Sequence, residues 1–230
     1  MNLAYGEAYK WDKNDYLLEL GYGRGDAIGL CFEKVSSGDG MVFGIERSGY
    51  MDQVTRKRYD LEIAETSKIR LESSHNLRNL PFPSNLFDHI YHTDLFYFIS
   101  QEDLTSVLTE MCRVLKPGGR LTCAMQFRRL DILTGYNLLD KSQWNPVRYL
   151  ESLEQAEFTN IDLSYHEDSE DGEYQLIAAQ KSEDSIKFND PEEIMRQLEL
   201  DIKRERLAVE LARDSKRKLS SEELKDVGSS

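Results

Sequence analysis

The chain is short of cysteine, of positive charge and of long apolar runs, and each shortage removes a class of protein. Its three cysteines, Cys31, Cys112 and Cys123, form no CxxC pair, and each falls in a stretch read as core-facing helix or strand. A disulfide framework or a thiolate metal site has no basis in such spacing, so no metal is expected. Buried reduced thiols in a cytoplasmic protein are the expectation. Lys and Arg number 29 against 42 Asp and Glu, a formal net charge of -13. A broad grip on phosphate backbone is built from clustered cations, which makes nucleic acid and anionic membrane poor partners. No apolar run approaches the ~20 residues that span a bilayer. The N-terminus, with Glu7 and Asp12 and no hydrophobic core segment, does not read as a signal peptide. What remains at 230 residues is one domain with a sizeable core plus an appendage.

The richest stretch is Leu17-Leu18-Glu19-Leu20-Gly21-Tyr22-Gly23-Arg24-Gly25, an apolar run that ends at three alternate glycines. With the helix-compatible segment Asp26 to Val35 behind it, the pattern predicts a buried strand, a tight turn and a helix. Glycines let the backbone turn sharply and approach a ligand, and the first amides of the following helix point toward it. This is how a nucleotide-type cofactor is usually held. A second apolar strand, Met41 to Ile45, ends in Glu46. Glu46 lies about 20 residues beyond the glycine turn, the separation at which an acid at the second strand tip can take ribose hydroxyls.

Strand and helix go on alternating. A helix is predicted from about Gly49 through Ala64, its Arg and Lys residues forming a solvated face, and a third strand over Ile69 to Ser73. Two prolines, Pro81 and Pro83, forbid a regular element in the next loop. Phe87 to Leu95 reads as a fourth strand, and Ser100 with Asp103 starts a capped helix through Leu115. Lys116-Pro117-Gly118-Gly119 stops that helix before a fifth strand, Arg120 to Met125. Residues 127–158 carry mixed helical signals around Asn145-Pro146. Ile161 to Tyr165 and Tyr174 to Ala179, joined by a short acidic turn, form an antiparallel pair. The expected fold is α/β, a Rossmann-like doubly wound sheet of seven strands, mainly parallel, closed by a C-terminal antiparallel hairpin.

Several of these motifs, in this order, resemble the class I S-adenosylmethionine-dependent methyltransferases, in the branch that includes the quinone-biosynthesis and other small-molecule enzymes. The resemblance covers about residues 16–181. It rests on Glu19 to Gly25, on Ile45-Glu46-Arg47-Ser48-Gly49-Tyr50-Met51, on Leu80-Pro81-Phe82-Pro83-Ser84-Asn85-Leu86-Phe87-Asp88, and on Arg113 through Leu121. Each motif has a plain structural explanation as well, and the glycine loop alone could serve a nicotinamide cofactor. The dinucleotide fingerprint, however, wants Gly or Ala where Asp26 stands.

The resemblance implies S-adenosyl-L-methionine as cofactor and a small-molecule methyl acceptor. Gly21, Gly23 and Gly25 would line the methionine end, and Glu19 would help order its amino group. Glu46 would accept from the ribose hydroxyls, and Asn76, with the Leu77 backbone, would meet the adenine where the family usually has an acid. Asp94 and His92, two residues apart on one strand face, are the candidates to remove a proton from a phenol, enol or amine acceptor. Small-molecule members usually place one or two helices before the first strand, whereas about 15 residues precede Tyr16. A shortened lid, or one supplied by residues 127–158, by a partner or by the C-terminal helix, is therefore expected. The alternative is a methyltransferase-like cofactor-binding interaction protein without turnover. A protein or nucleic-acid methyltransferase ranks third.

From Ser182 the composition turns charged and polar, dividing the chain into a domain over residues 1–181 and a charged, partly disordered helical tail over residues 182–230. Asp190 before Pro191 reads as a helix start. Met195, Leu198, Ile202, Val209, Ala212 and Leu219 follow an alternating three-four spacing, but Glu205 and Lys216 interrupt the seam. A solvated tail is the simpler expectation, and a protein partner or self-association through that helix the other.

Overall fold

The computed structural model describes residues 11–74, 76–168 and 172–183, together with Met195, Glu199, Ile202 and Lys203. The chain divides into two compact units, Met1–Glu183 and Asp184–Ser230. In the second, the four described residues are helical. The helix start at Asp190, the rest of the apolar seam, the first ten residues of the N-terminal arm and His75 lie outside the described residues.

The first unit is built on a sheet of seven strands in the order β3-β2-β1-β4-β5-β7-β6. In chain order these are β1 (Tyr16–Leu20), β2 (Met41–Glu46), β3 (Ile69–Ser73), β4 (Phe87–Thr93), β5 (Leu115–Gln126), β6 (Phe158–Asp168) and β7 (Gly172–Lys181). The first five run parallel, and β7 is antiparallel to both β5 and β6. The helices are α1 (Asp26–Val35), α2 (Gly49–Arg58), α3 (Asp60–Thr66), α4 (Gln101–Val114), α5 (Phe127–Gly135) and α6 (Pro146–Gln155).

Side chains of a strand alternate between faces, and a sheet covered on both sides must be apolar on both. In β1, Leu17 enters one core with Ile28, Cys31, Val35, Val42, Tyr59 and Tyr91. Its neighbour Leu18 enters the other with Leu20, Phe43, Phe87, Ile90, Leu104, Leu108 and Tyr149. The amphipathic α4 buries Leu104, Val107, Leu108, Met111 and Val114, a three-four spacing along one face. Each such side chain contributes about 1.5–3 kcal/mol by burial. The Ser100 side chain caps α4 by accepting from the Asp103 N–H at 3.2 Å. The turn Leu80-Pro81-Phe82-Pro83 serves packing: Leu80 is buried and Phe82 meets Phe43 and Phe87 edge-on.

Several boundaries differ from those read in the sequence; β5, expected to begin at Arg120 after a stop at Lys116 to Gly119, instead begins at Leu115 and takes that segment in. The helix expected over Gly49 to Ala64 is broken at Tyr59, whose φ of -116° and ψ of 30° leave the helical region. Tyr59 breaks the rod while turning its ring down toward the glycine loop. The mixed segment 127–158 resolves into α5 and α6, the latter opened by Pro146 behind an Asn145 cap that accepts from the Val147 N–H at 3.1 Å. The strand expected to reach Leu95 stops at Thr93, because Asp94 has a left-handed φ of 54°.

Candidate cofactor and acceptor site

The strand order reverses between β1 and β4, and in open α/β sheets the crevice outside the carboxyl ends of the strands at such a point is where ligands bind. Glu19, Leu20 and the glycine turn lie at that end of β1, Glu46 at that end of β2, and Asp94 just past β4. The fold thus gathers at one edge most of the residues the sequence singles out.

The turn after β1 has left-handed φ values at Gly21, Gly23 and Gly25, of 77°, 50° and 77°. A Cβ at Gly25 would lie 2.5 Å from the Thr55 methyl, whereas one at Gly23 would meet nothing within 4 Å. Gly25 is thus required by the packing beneath the loop. Gly23 instead leaves an open space above it. The Gly23 N–H donates to Glu46 Oε2 at 2.9 Å, and the Ser48 N–H to Oε1 at 2.7 Å. A carboxylate offers about four lone-pair sites, so Glu46 is held from below by two amides and can still accept from a ligand.

Glu19 is 5% exposed and lies beside Tyr91 in the register of β1 and β4. Burial lifts its carboxyl from 4.5 to about 8, opposed by a hydrogen bond from the Tyr91 hydroxyl and reinforced by the nearby acids Asp26 and Glu46. That hydroxyl also accepts from the Cys31 thiol at 3.0 Å. A buried acid among other acids favours a ligand that brings a positive charge. Asn76 is exposed, and its Oδ1 accepts from the Arg78 N–H at 3.0 Å, closing a local turn. Leu77 packs against the larger core.

Past β4, Asp94 is 6% exposed. Its Oδ1 accepts from the Gln126 N–H at 3.0 Å, and its Oδ2 lies 3.6 Å from Arg129 Nε of α5. Burial raises its pKa, opposed by the Gln126 amide and by Arg129. The buried Tyr97 hydroxyl is near enough to Asp94 for each to shift the other's titration, although no hydrogen bond of ordinary geometry joins them. His92 is elsewhere. It is 0% exposed, and its Nε2 is 2.7 Å from the Tyr149 hydroxyl within the core beneath α6. Desolvation drops its pKa from 6.5 to about 3. The strand face expected to carry both side chains turns His92 inward, and Asp94 escapes only because the backbone leaves the strand there.

Sequence reasoning missed the residues that reach this site from a distance: Thr55, Tyr59 and Asp52 around the glycine loop, and Tyr97 and Arg129 around Asp94. Spacing offered one signal, since Asp52, Thr55 and Tyr59 follow the three-four spacing of a helix face. The basic residues of α2 are also more than a solvated face. Arg56 donates to Asp52 at 2.8 Å and to the Leu71 carbonyl, and Arg58 pairs with Asp26. Among the described residues, no group of three or more His, Cys, Asp or Glu is placed to hold a metal ion. No described helix is long and apolar enough to cross a membrane.

Comparison with known proteins agrees with this geometry. The family model described as a methyltransferase domain matches residues 18–123. The demethylmenaquinone methyltransferase of Listeria monocytogenes is 35% identical over 112 residues, which cover 48% of this chain and 44% of that protein. The match thus spans less than half of that relative's length. Among solved structures, phosphoethanolamine N-methyltransferase 2 of Haemonchus contortus in complex with S-adenosyl-L-methionine superposes with a TM-score of 0.62 at 16% identity, over 79% of this chain and 52% of that one. A chain from the complex between the Haloferax volcanii Trm112 methyltransferase activator and a methyltransferase gives a TM-score of 0.62 at 20% identity, over 75% and 84%. At such identities the likeness shows the fold, a class I methyltransferase sheet closed by an antiparallel β7.

Proposed function

We propose, from a chain whose residues 18–123 belong to the S-adenosylmethionine-dependent methyltransferase family, that it binds this cofactor beyond the ends of β1 and β2 and methylates a small-molecule acceptor. The observation that carries the reading is the Glu46 carboxylate, tied to the Gly23 and Ser48 amides, beside a glycine turn left open at Gly23. When bound, S-adenosylmethionine supplies a methyl group on a sulfonium, activated for in-line displacement.

The chain's own residues then have distinct tasks. Gly21, Gly23 and Gly25 admit the methionine end, and Glu19, protonated in the free protein, releases its proton to solvent as the cofactor's ammonium arrives and then pairs with it. Glu46 accepts from the ribose hydroxyls, and Leu77 with the second lone pair of the Asn76 carbonyl meets the adenine. Asp94 takes the acceptor's proton, with Arg129 balancing its charge. His92, neutral and enclosed, keeps β4 packed against α6 and exchanges no proton with the acceptor. Holding nucleophile and methyl group aligned in a water-poor site supplies most of what such a transfer needs.

Isothermal titration with S-adenosylmethionine and S-adenosylhomocysteine tests the reading, with binding expected at one site per chain. A folded sample that takes up neither ligand would sink it. A second reading, a cofactor-binding interaction protein without turnover, is favoured by the way Gln126 and Arg129 already engage Asp94. Formation of S-adenosylhomocysteine across a panel of phenols, enols and amines distinguishes the two, and cofactor binding without any product would select the second. An activator protein of the kind present in the Haloferax volcanii complex is a partner to include in that panel.

A further inference from the structure

The glycine loop is held less by its own sequence than by the helix after β2. The Gly23 carbonyl accepts from Thr55 Oγ1 at 2.8 Å, the Arg24 carbonyl from Arg58 Nη1 at 3.1 Å, and the Gly25 carbonyl from the Tyr59 hydroxyl at 2.8 Å. The Tyr22 hydroxyl donates to Asp52 of the same helix. Every residue from Tyr22 to Gly25 is therefore anchored to the segment that starts at Glu46, counting the Gly23 N–H that Glu46 accepts. Thr55 is 0% exposed, and the Gly25 backbone passes so close that a Cβ there would strike both Thr55 and Tyr59. At Gly29, in the first turn of α1, a Cβ would collide with the Tyr59 hydroxyl as well.

Three of these contacts run to the loop's carbonyls. A loop with three left-handed glycines has many conformations in isolation, and glycine loses more freedom on ordering than any other residue. Fixing its carbonyls in the ligand-free protein removes that cost from the binding step. We infer that Thr55 and Tyr59 are positioning residues for the cofactor: they hold the Gly21 to Gly25 loop in its binding shape without touching the ligand, an inference that rests on the cofactor reading above. Tyr59 makes this contact from the junction of α2 and α3, where its backbone leaves the helical region. Glu46, at the ribose end, and Thr55, beneath the methionine end, belong to one stretch of chain.

The test is calorimetric titration of the full chain with S-adenosylhomocysteine and, separately, with adenosine, which lacks the methionine portion. Thr55→Val keeps the shape of the side chain and removes the donor, Thr55→Ser keeps the donor, and Tyr59→Phe removes only the hydroxyl. Loss of one hydrogen bond that orders the loop should weaken S-adenosylhomocysteine by about three- to tenfold in Thr55→Val and in Tyr59→Phe. Thr55→Ser should stay near wild type, and adenosine affinity should not move. If the wild type binds and Thr55→Val, folded by circular dichroism, binds equally well, the inference is overturned while the cofactor reading stands. An equal loss for adenosine and S-adenosylhomocysteine also overturns it, because a general disturbance would act on both. A wild type that binds neither removes the cofactor reading itself, and this inference with it.

Discussion

Glu19 and His92, two buried side chains on neighbouring strands, are both kept neutral by desolvation, and the consequences for pH run in opposite directions. The Glu19 carboxyl rises from 4.5 to about 8. Between those values the native protein keeps a proton that the unfolded chain has released, so stability falls as pH rises, by about 1.4 kcal/mol per pH unit for this group alone. Above the native value the effect levels off. Glu19→Gln should therefore be indistinguishable from wild type in acid and more stable at pH 8 in thermal unfolding. A Glu19→Gln variant that gained equally across that range would contradict the assignment. His92 has its pKa lowered from 6.5 to about 3. Here the unfolded chain binds the proton first, so this residue's contribution is present above 6.5 and is lost as pH falls toward 3. Its ring resonances should hold constant in NMR between pH 8 and pH 5, and a midpoint near 6.5 would mean that the ring meets water. The types of both residues are plain in the sequence, but the packing that sets their protonation is not.

Helix α4 shows how a single polar side chain fixes the end of an element. Its first turn leaves backbone N–H groups without carbonyl partners, and Ser100 Oγ takes one of them from Asp103. Ser100→Ala should lower the unfolding free energy by about 1 kcal/mol, read as a reduced urea midpoint at unchanged slope. That start was legible from the Ser100 and Asp103 spacing alone. The end of β4 was not, because Asp94 continues the alternation in type and leaves it only through its φ of 54°. Nor was the break at Tyr59, where nothing in the local sequence forbids a helix. There a hydrogen bond to the Gly25 carbonyl, 34 positions away in the chain, takes the ring out of the rod.

For the molecule as a whole, the net charge of -13 acts on association more than on fold. A duplex DNA probe followed by fluorescence anisotropy should show no binding at about 150 mM salt, and none that grows steeply as salt is lowered. Salt-dependent capture of the duplex would reopen the nucleic-acid methyltransferases as a class. The charge is overall, whereas the site has local pairs of both signs, Arg129 with Asp94 and Arg58 with Asp26. An overall excess of acid and locally paired charges are therefore compatible.

Apolar runs, glycines and prolines were enough to establish the seven strands and their mainly parallel arrangement. Those features depend on short-range backbone preferences and on the two-residue period of a buried strand. The glycine loop and Glu46 were legible for the same reason, since their spacing encodes a turn and a strand tip. The supports of the site were decided only when distant segments met. Thr55 and Tyr59 act on carbonyls some thirty residues earlier in the chain. Arg129 of α5 lies 3.6 Å from Asp94, and the Tyr149 hydroxyl of α6 meets the buried His92. Hydrogen bonds and burial of that kind are properties of three-dimensional proximity, and no local pattern of residue types carries them.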